Sequence, residues 1–392
     1  MSREDGRVSG GHRFWQGKRV LITGHSGFKG TWLVLWLRRL GAEVIGYSND
    51  LPSAPSMYRL CGLEHDTAWV RGDIRDEGKL LQTVLAAKPE IVFHLAAQPL
   101  VRRSYAEPIE TIAVNVVGTA NVLNAIRSAP SVRSVIIATS DKCYANTKQE
   151  QAHGHVLKET DRLGGRDPYS ASKASAELIV DAYRHSYFQA RQAGSGQRAL
   201  AVATVRAGNV IGGGDFAIDR IVPDCVRAAQ HGWAPLLRNP DAVRPWQHVL
   251  EPLSGYMMLA ERLFDAAGAG DDTLAEAWNF GPEAGQEMTV GELAHRISGW
   301  VGASGPIVSS DSEGPYEAAM LRIDSSKAHS RLGWQPVWST QEAVEKTGEW
   351  YQQWRKGASM RAVTDRQIQA YEQALAARQP VQEVDATDEQ GA

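Results

Sequence analysis

The sequence predicts an α/β fold, a doubly wound parallel sheet with a smaller C-terminal α/β lobe. Three observations carry that prediction. A short apolar run, Val20–Ile22, passes through three glycines at three-residue spacing, Gly24, Gly27 and Gly30, into a helical stretch from Thr31. Apolar runs of strand length then alternate with helical periodicities as far as Arg206. The chain, 392 residues at 43% hydrophobic content, is long enough to bury a large core in two lobes.

The glycine turn comes first. Gly24 allows a tight turn, Gly27 lets backbone approach a pyrophosphate, and Gly30 lets the helix pack close on the sheet, with Phe28 and Lys29 between the last two. The second strand, Gly41–Ser48, ends where such folds place an adenosine ribose. Ser48 stands at its tip and Asp50 two positions on, and no arginine at the tip offers to hold a 2′-phosphate, which favours NAD over NADP. A third strand, Ala68–Val70, leads to Gly72, Asp73 and Ile74. Asp73 either accepts from an adenine amino group or caps the helix that begins near Asp76. The fourth strand, Glu90–Leu95, opens onto Ala96, Ala97 and Gln98, residues small or polar enough for a cofactor to pass close to backbone. His94 inside it reads as a satisfied core histidine. Apolar residues recur at helical spacing from Ile109 to Ser128, and Asn115 among them is either solvated or a buried hydrogen-bonder near the site.

The fifth strand, Ser134–Ala138, runs into Thr139, Ser140, Asp141, Lys142, Cys143 and Tyr144. Polar groups at a strand's C-terminal end sit where an open parallel sheet places its chemistry. Residues 146–167 lack periodicity and read as a loop or lid. In the helix that follows, from Pro168 to about Gln192, Tyr169 and Lys173 are four apart and share one face. A nearby ammonium and a cationic nicotinamide would both lower the phenol from its usual ~10, so that it exchanges a proton with a sugar hydroxyl near neutral pH.

Beyond the sixth strand, Leu200–Arg206, the chain builds the smaller lobe. Asp219–Pro223 leads into a helix to about His231, with Arg220 at its start. Arg238 and Arg244 flank an Asn239–Pro240 turn, and their rigid donors suit a diphosphate; the plain alternative for each is a surface charge. Helices are expected over Glu251–Phe264, over Thr289–Trp300 and from Thr340 on, with a strand ending at Asn279–Pro282. The expected organisation is a dinucleotide-binding domain over residues 14–206, with return segments at about 244–265, and a lobe over 207–360. Residues 1–13 and 377–392 are polar and expected to be disordered.

Composition narrows the classes. A net charge of −3 with both signs interspersed offers no basic stripe to nucleic acid. No apolar run approaches the ~20 residues of a membrane span, and residues 1–13 lack an apolar signal core, so neither membrane nor export is expected. Cys61, Cys143 and Cys225 are scattered, as reduced thiols of a cytoplasm are, without disulfide or metal spacing. Twelve tryptophans are spread along the chain, and Trp32 and Trp36 at helical spacing read as packing against the sheet.

Taken together, the glycine turn, Asp73, Ala96 and Ala97, Asn115, Ser140 and Tyr169-x-x-x-Lys173 resemble the extended short-chain dehydrogenase/reductase superfamily over roughly residues 14–360. Longer strings make the resemblance narrower: Gly24–Gly30, Phe93–Val101, Thr139–Tyr144, Val205–Asp215 and Arg244–Pro252 are similar to the CDP-glucose 4,6-dehydratases. That resemblance implies a Rossmann sheet, bound NAD and a redox-neutral lyase acting on CDP-glucose or a related nucleotide sugar in deoxysugar synthesis for cell-surface polysaccharide. It implies that Ser140 and Tyr169 hold the glucose 4-hydroxyl, that Tyr169 takes its proton, and that Lys173 holds the cofactor ribose. Asp141 becomes the acid to the departing C6 hydroxyl, and Asn209 binds the sugar diphosphate. The position beside Asp141 is glutamate in related dehydratases; here Lys142 acts either as the C5 base, if neutral, or electrostatically on the enolate. His25 and Lys29 depart from the small or apolar residues usual in the turn, and Lys29 either nears the pyrophosphate or is solvated. Superfamily members pair through the helices carrying Asn115 and Tyr169, which implies a homodimer built on a four-helix bundle. Two other functions stay open: a dehydratase or 4-epimerase for another nucleotide sugar, and a non-catalytic dinucleotide sensor, which would be expected to lack Tyr169 or Lys173.

Overall fold

The computed structural model describes residues 10–188, 200–309 and 318–378. Seven strands form one sheet: β1 Arg19–Thr23, β2 Glu43–Ser48, β3 Ala68–Arg71, β4 Ile91–His94, β5 Ser134–Ala138, β6 Ala201–Ala207 and β7 Ala277–Phe280. Their order across the sheet is β7-β6-β5-β4-β1-β2-β3, and every pairing is parallel. β4 and β6 are buried along their whole length, which is why they read as mostly apolar rather than alternating, with His94 in the one and Thr204 and Arg206 in the other as the exceptions. The order reverses between β1 and β4. There the loops leaving the two strands part and open the crevice in which a doubly wound sheet binds its ligand.

Helix α1, Phe28–Arg39, is buried over every residue from Gly30 to Leu37. Its two tryptophans face away from one another's partners. Trp32 Nε1 donates to the Gly213 carbonyl at 2.9 Å, while Trp36 Nε1 donates to Glu372 on the last helix at 3.0 Å. Helix α2, Glu77–Ala87, follows β3 and is capped by Asp76, whose side chain accepts from the Lys79 amide. Asp73 is therefore not the cap. Helix α3 spans Pro108–Arg127 and contains a π-turn over Ala113–Val117 that carries Asn115. Among the described residues this helix alone is long and apolar enough to cross a membrane, with mean hydropathy 1.3. It is packed as a layer of the fold against α2 and against α4, Pro168–Tyr183.

The smaller lobe is assembled from short pieces. Val243–Arg244 pairs antiparallel with Met288–Thr289, Leu236–Leu237 parallel with Ile307–Val308, and Val210–Ile211 parallel with Gln247–His248. Helices α5 (Ile221–His231) and α7 (Val290–Val301) pack together, and α6, Leu250–Ala269, returns to cover β5 and β6. The chain returns a second time, after α6, to add β7 to the sheet beside β6. Helix α8 (Thr340–Arg355) packs on α7 and on α9 (Met360–Arg378), which lies against α1.

Three local readings change. Gly10–Trp15 is a short helix where a frayed leader was expected, and α9 includes Ala377 and Arg378. The stretch read as a plain loop carries a helix over Lys148–Ala152 and bridges at Tyr144–Leu163 and Leu157–Ile323. Residues 1–9 and 379–392, and the end of the helix expected to reach Gln192, lie outside the described residues.

Candidate active site

The glycine turn is built by necessity. Gly24 has φ +73°, and a Cβ there would lie 2.7 Å from the Ala96 α-carbon, because β1 and β4 run side by side and their loops diverge only after this point. A Cβ on Gly30 would collide with the Gly24 carbonyl and the His25 backbone. Gly27 caps α1 without a side chain, which leaves the first-turn amides of Phe28, Lys29 and Gly30 facing a cavity lined by these same residues. A cradle that any side chain would fill, ending in a helix N-terminus, fits a dinucleotide pyrophosphate. Phe28 sits against Gly212 of the next lobe.

Other residues expected around a cofactor divide by position. Ala97 lines the cavity, and Ala96 forms the backbone wall against Gly24. Asn115 is buried; its Oδ1 accepts from the Gln98 amide at 2.8 Å, and its Nδ2 donates to the Gln98 carbonyl at 3.1 Å and to Ser172 Oγ at 2.9 Å. The solvated reading of Asn115 is thus replaced: it clamps the loop after β4 to α4. Gln98 spends its side chain on Thr111 Oγ1 and on the backbone of Leu100. It braces that loop and does not line the cavity. Asp73 lies outside the cavity, its two carboxylate oxygens accepting from Arg75 at 2.9 and 2.7 Å. Ile74 packs in the core against Gly118. Ser48 Oγ shares a hydrogen bond with Ser26 Oγ at 2.9 Å. His94 is the satisfied core histidine expected, bonded to Thr23 Oγ1 at 2.7 Å and Thr119 Oγ1 at 3.0 Å.

The reacting groups meet on the opposite wall. Ser140 follows β5 and caps a short turn, accepting from the Lys142 amide at 3.2 Å and donating to Asp141 Oδ1 at 3.0 Å. Asp141 is 1% exposed, and its Oδ2 is buried without a partner. Lys142 Nζ lies 3.2 Å from Asp141 Oδ1. Tyr169 opens α4, whose N-cap Asp167 accepts from the Ser170 amide, and its phenol interacts with Ser140. Burial pushes that phenol up to about 12, while Ser140 and Arg220 pull it down. Lys173 Nζ donates to the Ala138 carbonyl at 3.2 Å. Burial pushes Lys173 down to about 8, with Glu177 opposing.

Lys29 lines this cavity, 5.9 Å from the Tyr256 ring centroid. Burial and the charges of Arg220, Lys173 and Lys142 lower it to about 7, against the pull of Asp141. By surface area Lys29 is half-buried at the cavity wall. Asn209 brings a buried Oδ1 with no partner. Arg220 reaches Asp215 at 3.0 Å, Arg244 is 8% exposed and donates to the Val243 carbonyl at 2.9 Å, and Arg238 stands exposed on the rim. All four line the one cavity.

A model of the GDP-mannose 4,6 dehydratase family matches residues 21–347. The chain belongs to that family. Within the range of curated relatives, the CDP-glucose 4,6-dehydratase of Salmonella typhimurium is 44% identical over 358 residues, 91% of this chain and 97% of the relative. A dTDP-glucose 4,6-dehydratase of Xanthomonas campestris is 26% identical over 360 residues, 86% and 95% of the two chains. Among solved structures, the dTDP-glucose 4,6-dehydratase of Streptomyces venezuelae with bound NAD superposes with TM-score 0.71 at 24% identity, covering 88% of this chain and 99% of that one. The likeness to that structure establishes the family fold, a parallel Rossmann sheet with a smaller lobe.

Reading the sequence missed several residues of this site. Glu177 lies one helical turn beyond Lys173, and Arg206 is a charge inside an otherwise apolar strand; either anomaly could have flagged them. His25, which the sequence marked as unusual in the turn, is buried with neither ring nitrogen partnered and its ring edge-on to Tyr58 and Trp69.

Proposed function

We propose that the protein is a CDP-glucose 4,6-dehydratase with NAD as its cofactor, converting CDP-glucose to CDP-4-dehydro-6-deoxyglucose and water. The observation that carries the reading is the convergence of Ser140, Asp141, Tyr169 and Lys173 on the cavity that also receives the glycine turn. The relative at 44% identity supports the choice of nucleotide sugar.

The turn amides around Gly27 hold the pyrophosphate, and Lys173 reaches the ribose. Bound NAD supplies a reversible hydride acceptor, so no external reductant is consumed. Ser140 and Tyr169 hold the 4-hydroxyl, and Tyr169 removes its proton. Asp141 Oδ2, buried and unpartnered, protonates the departing C6 hydroxyl. Lys142 Nζ, acting as the amine, takes the C5 proton, so that Asp141 and Lys142 pass from acid and amine to carboxylate and ammonium as water leaves. Asn209, Arg220, Arg238 and Arg244 take the nucleoside diphosphate. Asp73 and Ile74, beyond the cavity, border the adenine, and Gln98 and Asn115 support the cofactor through the loop they brace.

The protein works as a homodimer in the cytoplasm. Helices α3 and α4 expose Ile109 (77%), Val117 (50%) and Leu178 (59%), an apolar face that a four-helix bundle would cover. The three cysteines are buried and free.

The test is product analysis by NMR after incubation with CDP-glucose, UDP-glucose and dTDP-glucose in separate arms. The expected result is a 4-ketone with a C6 methyl, formed fastest from CDP-glucose. A galactose-configured product without a ketone would make the protein an epimerase, and no conversion would make it a binding protein.

A further inference from the structure

Behind the reacting groups lies a buried ion pair that the proposed chemistry does not use. Glu177 is 2% exposed and Arg206 is 3% exposed. Glu177 Oε1 accepts from Thr139 Oγ1 and from Arg206 Nε at 2.9 Å; Oε2 accepts from Thr204 Oγ1 at 2.8 Å and from Arg206 Nη2 at 2.9 Å. Arg206 Nη1 carries the chain onward, donating to Tyr144 Oη at 2.9 Å and to the Glu159 carbonyl at 3.2 Å. Tyr144 donates to Asn279 Oδ1 at 2.6 Å, and the Asn279 amide donates to Glu159 Oε1 at 2.9 Å.

The placement of these bonds matters more than their number. Helix α4 is fastened to the end of β5 at two successive residues, by Lys173 to the Ala138 carbonyl and, one helical turn later, by Glu177 to Thr139. Tyr144 belongs to the same loop as Ser140, Asp141 and Lys142. Glu177 therefore joins the helix that carries Tyr169 to the loop that carries the other reacting groups. Burying an ion pair rarely adds stability over apolar residues of the same volume, so its presence here is not accounted for by stability. The dehydration, in contrast, sets a geometric demand: Tyr169 must meet the sugar at C4 and Asp141 must meet it at C6 in one pose. Misplacement by about 1 Å costs on the order of 10²-fold in rate.

We propose that Glu177 is a positioning residue, which through Arg206 and Thr139 sets the spacing between Tyr169 on α4 and Asp141 on the loop. The assignment rests on the dehydratase reading given above. The pair's charge also acts on Lys173, since Glu177 opposes the burial that lowers the lysine. Burial pushes the Glu177 carboxyl up, yet the bonds and charge of Arg206 leave it below the usual carboxylate range, so the counter-ion stays ionised.

The experiment compares wild type with Glu177→Gln, Arg206→Lys and the apolar double variant Glu177→Leu/Arg206→Met. Melting temperature and cofactor affinity monitor the fold; steady-state kinetics, a kcat pH profile and single-turnover absorbance of reduced nicotinamide monitor the reaction with CDP-glucose. The expected result is a loss in kcat of roughly 10²-fold, with KM and cofactor affinity nearly unchanged. Reduced nicotinamide is expected to accumulate as elimination falls behind oxidation, and in Glu177→Gln the alkaline limb of kcat moves to lower pH as Lys173 loses its counter-ion. If the single variants fail to fold, the double variant decides: folded with impaired kcat and accumulating reduced cofactor, it supports the assignment; folded with wild-type kcat, it overturns it. Losses in kcat, KM and melting temperature in parallel, without accumulation, overturn it as well. Absence of wild-type turnover overturns both this assignment and the dehydratase reading, whereas wild-type turnover with unaltered variants overturns this one alone.

Discussion

Tyr169 carries a phenol that burial holds up at about 12, two above its ordinary value, so the chain alone does not prepare it as a base at neutral pH. What lowers it is local: the bond from Ser140 and the charge of Arg220. Removing either should move the phenol further up. Ser140→Ala is therefore expected to shift the rising limb of kcat to higher pH, and Tyr169→Phe to cut kcat by roughly 10²–10⁴-fold while cofactor binding, read by calorimetry, is retained. Asp141→Asn separates the stages. It leaves the 4-hydroxyl chemistry in place and removes the proton donor at C6, so reduced cofactor should accumulate in a single turnover; a variant that completes dehydration at the wild-type rate would remove that role. Tyr169, Lys173 and Ser140 were legible in the sequence because spacing and position at a strand end are local properties. The partners of Gln98 and Asp73 were not. Gln98 is claimed partly by Thr111, which another element brings to it, and Asp73 by Arg75 two residues on, a pairing that sequence adjacency permits but does not dictate.

Individual elements were legible where periodicity was clean and blurred at their ends. The first helix begins at Phe28 rather than Thr31, because Gly27 caps it and the last glycine lies inside its first turn. Asn115 sits in a π-turn, a widening that helical spacing alone does not reveal. The glycine turn gives a prediction at this scale. Gly24→Ala places a Cβ in a left-handed conformation costing about 1–2 kcal/mol and presses it on the Ala96 backbone, so both melting temperature and cofactor affinity should fall; an Ala variant with unchanged cofactor affinity would show that the turn does not hold the cofactor. The exposed faces of α3 and α4 give another. Ile109→Glu with Leu178→Glu is expected to yield a monomer by analytical ultracentrifugation, and a dimer that survives both substitutions would place the interface elsewhere.

Across the whole molecule, burial sets the pH response. It holds His25 at about 4 and His94 and His248 at about 3, so below 6.5 the unfolded chain binds three protons that the folded chain refuses. Burial also raises Glu251 and Glu261 to about 7, so between about pH 5 and 6 the folded chain binds two protons that the unfolded chain releases. For these five groups, three less two leaves about one proton favouring the unfolded state, so together they lower stability by about 1.4 kcal/mol per pH unit on acidification between about pH 6 and 5. Glu251→Gln removes one offset and should roughly double that slope in urea titrations; an unchanged slope would show that Glu251 is ionised in the fold. The layered sheet and the lobe after it were legible because strand and helix periods alternate over long stretches. The strand ending at Asn279–Pro282 was legible too, but its place as β7 beside β6 was not, since a strand's partner is not a local property. Turnover rests on one internal transfer: hydrogen leaves C4 of the hexose and reappears at C6 of the same molecule. The most direct measurement is turnover of CDP-glucose deuterated at C4, with the product's methyl group read by NMR and mass spectrometry. Deuterium retained at C6 is the expected result, and a methyl group whose hydrogens all come from solvent or from added reductant would contradict it.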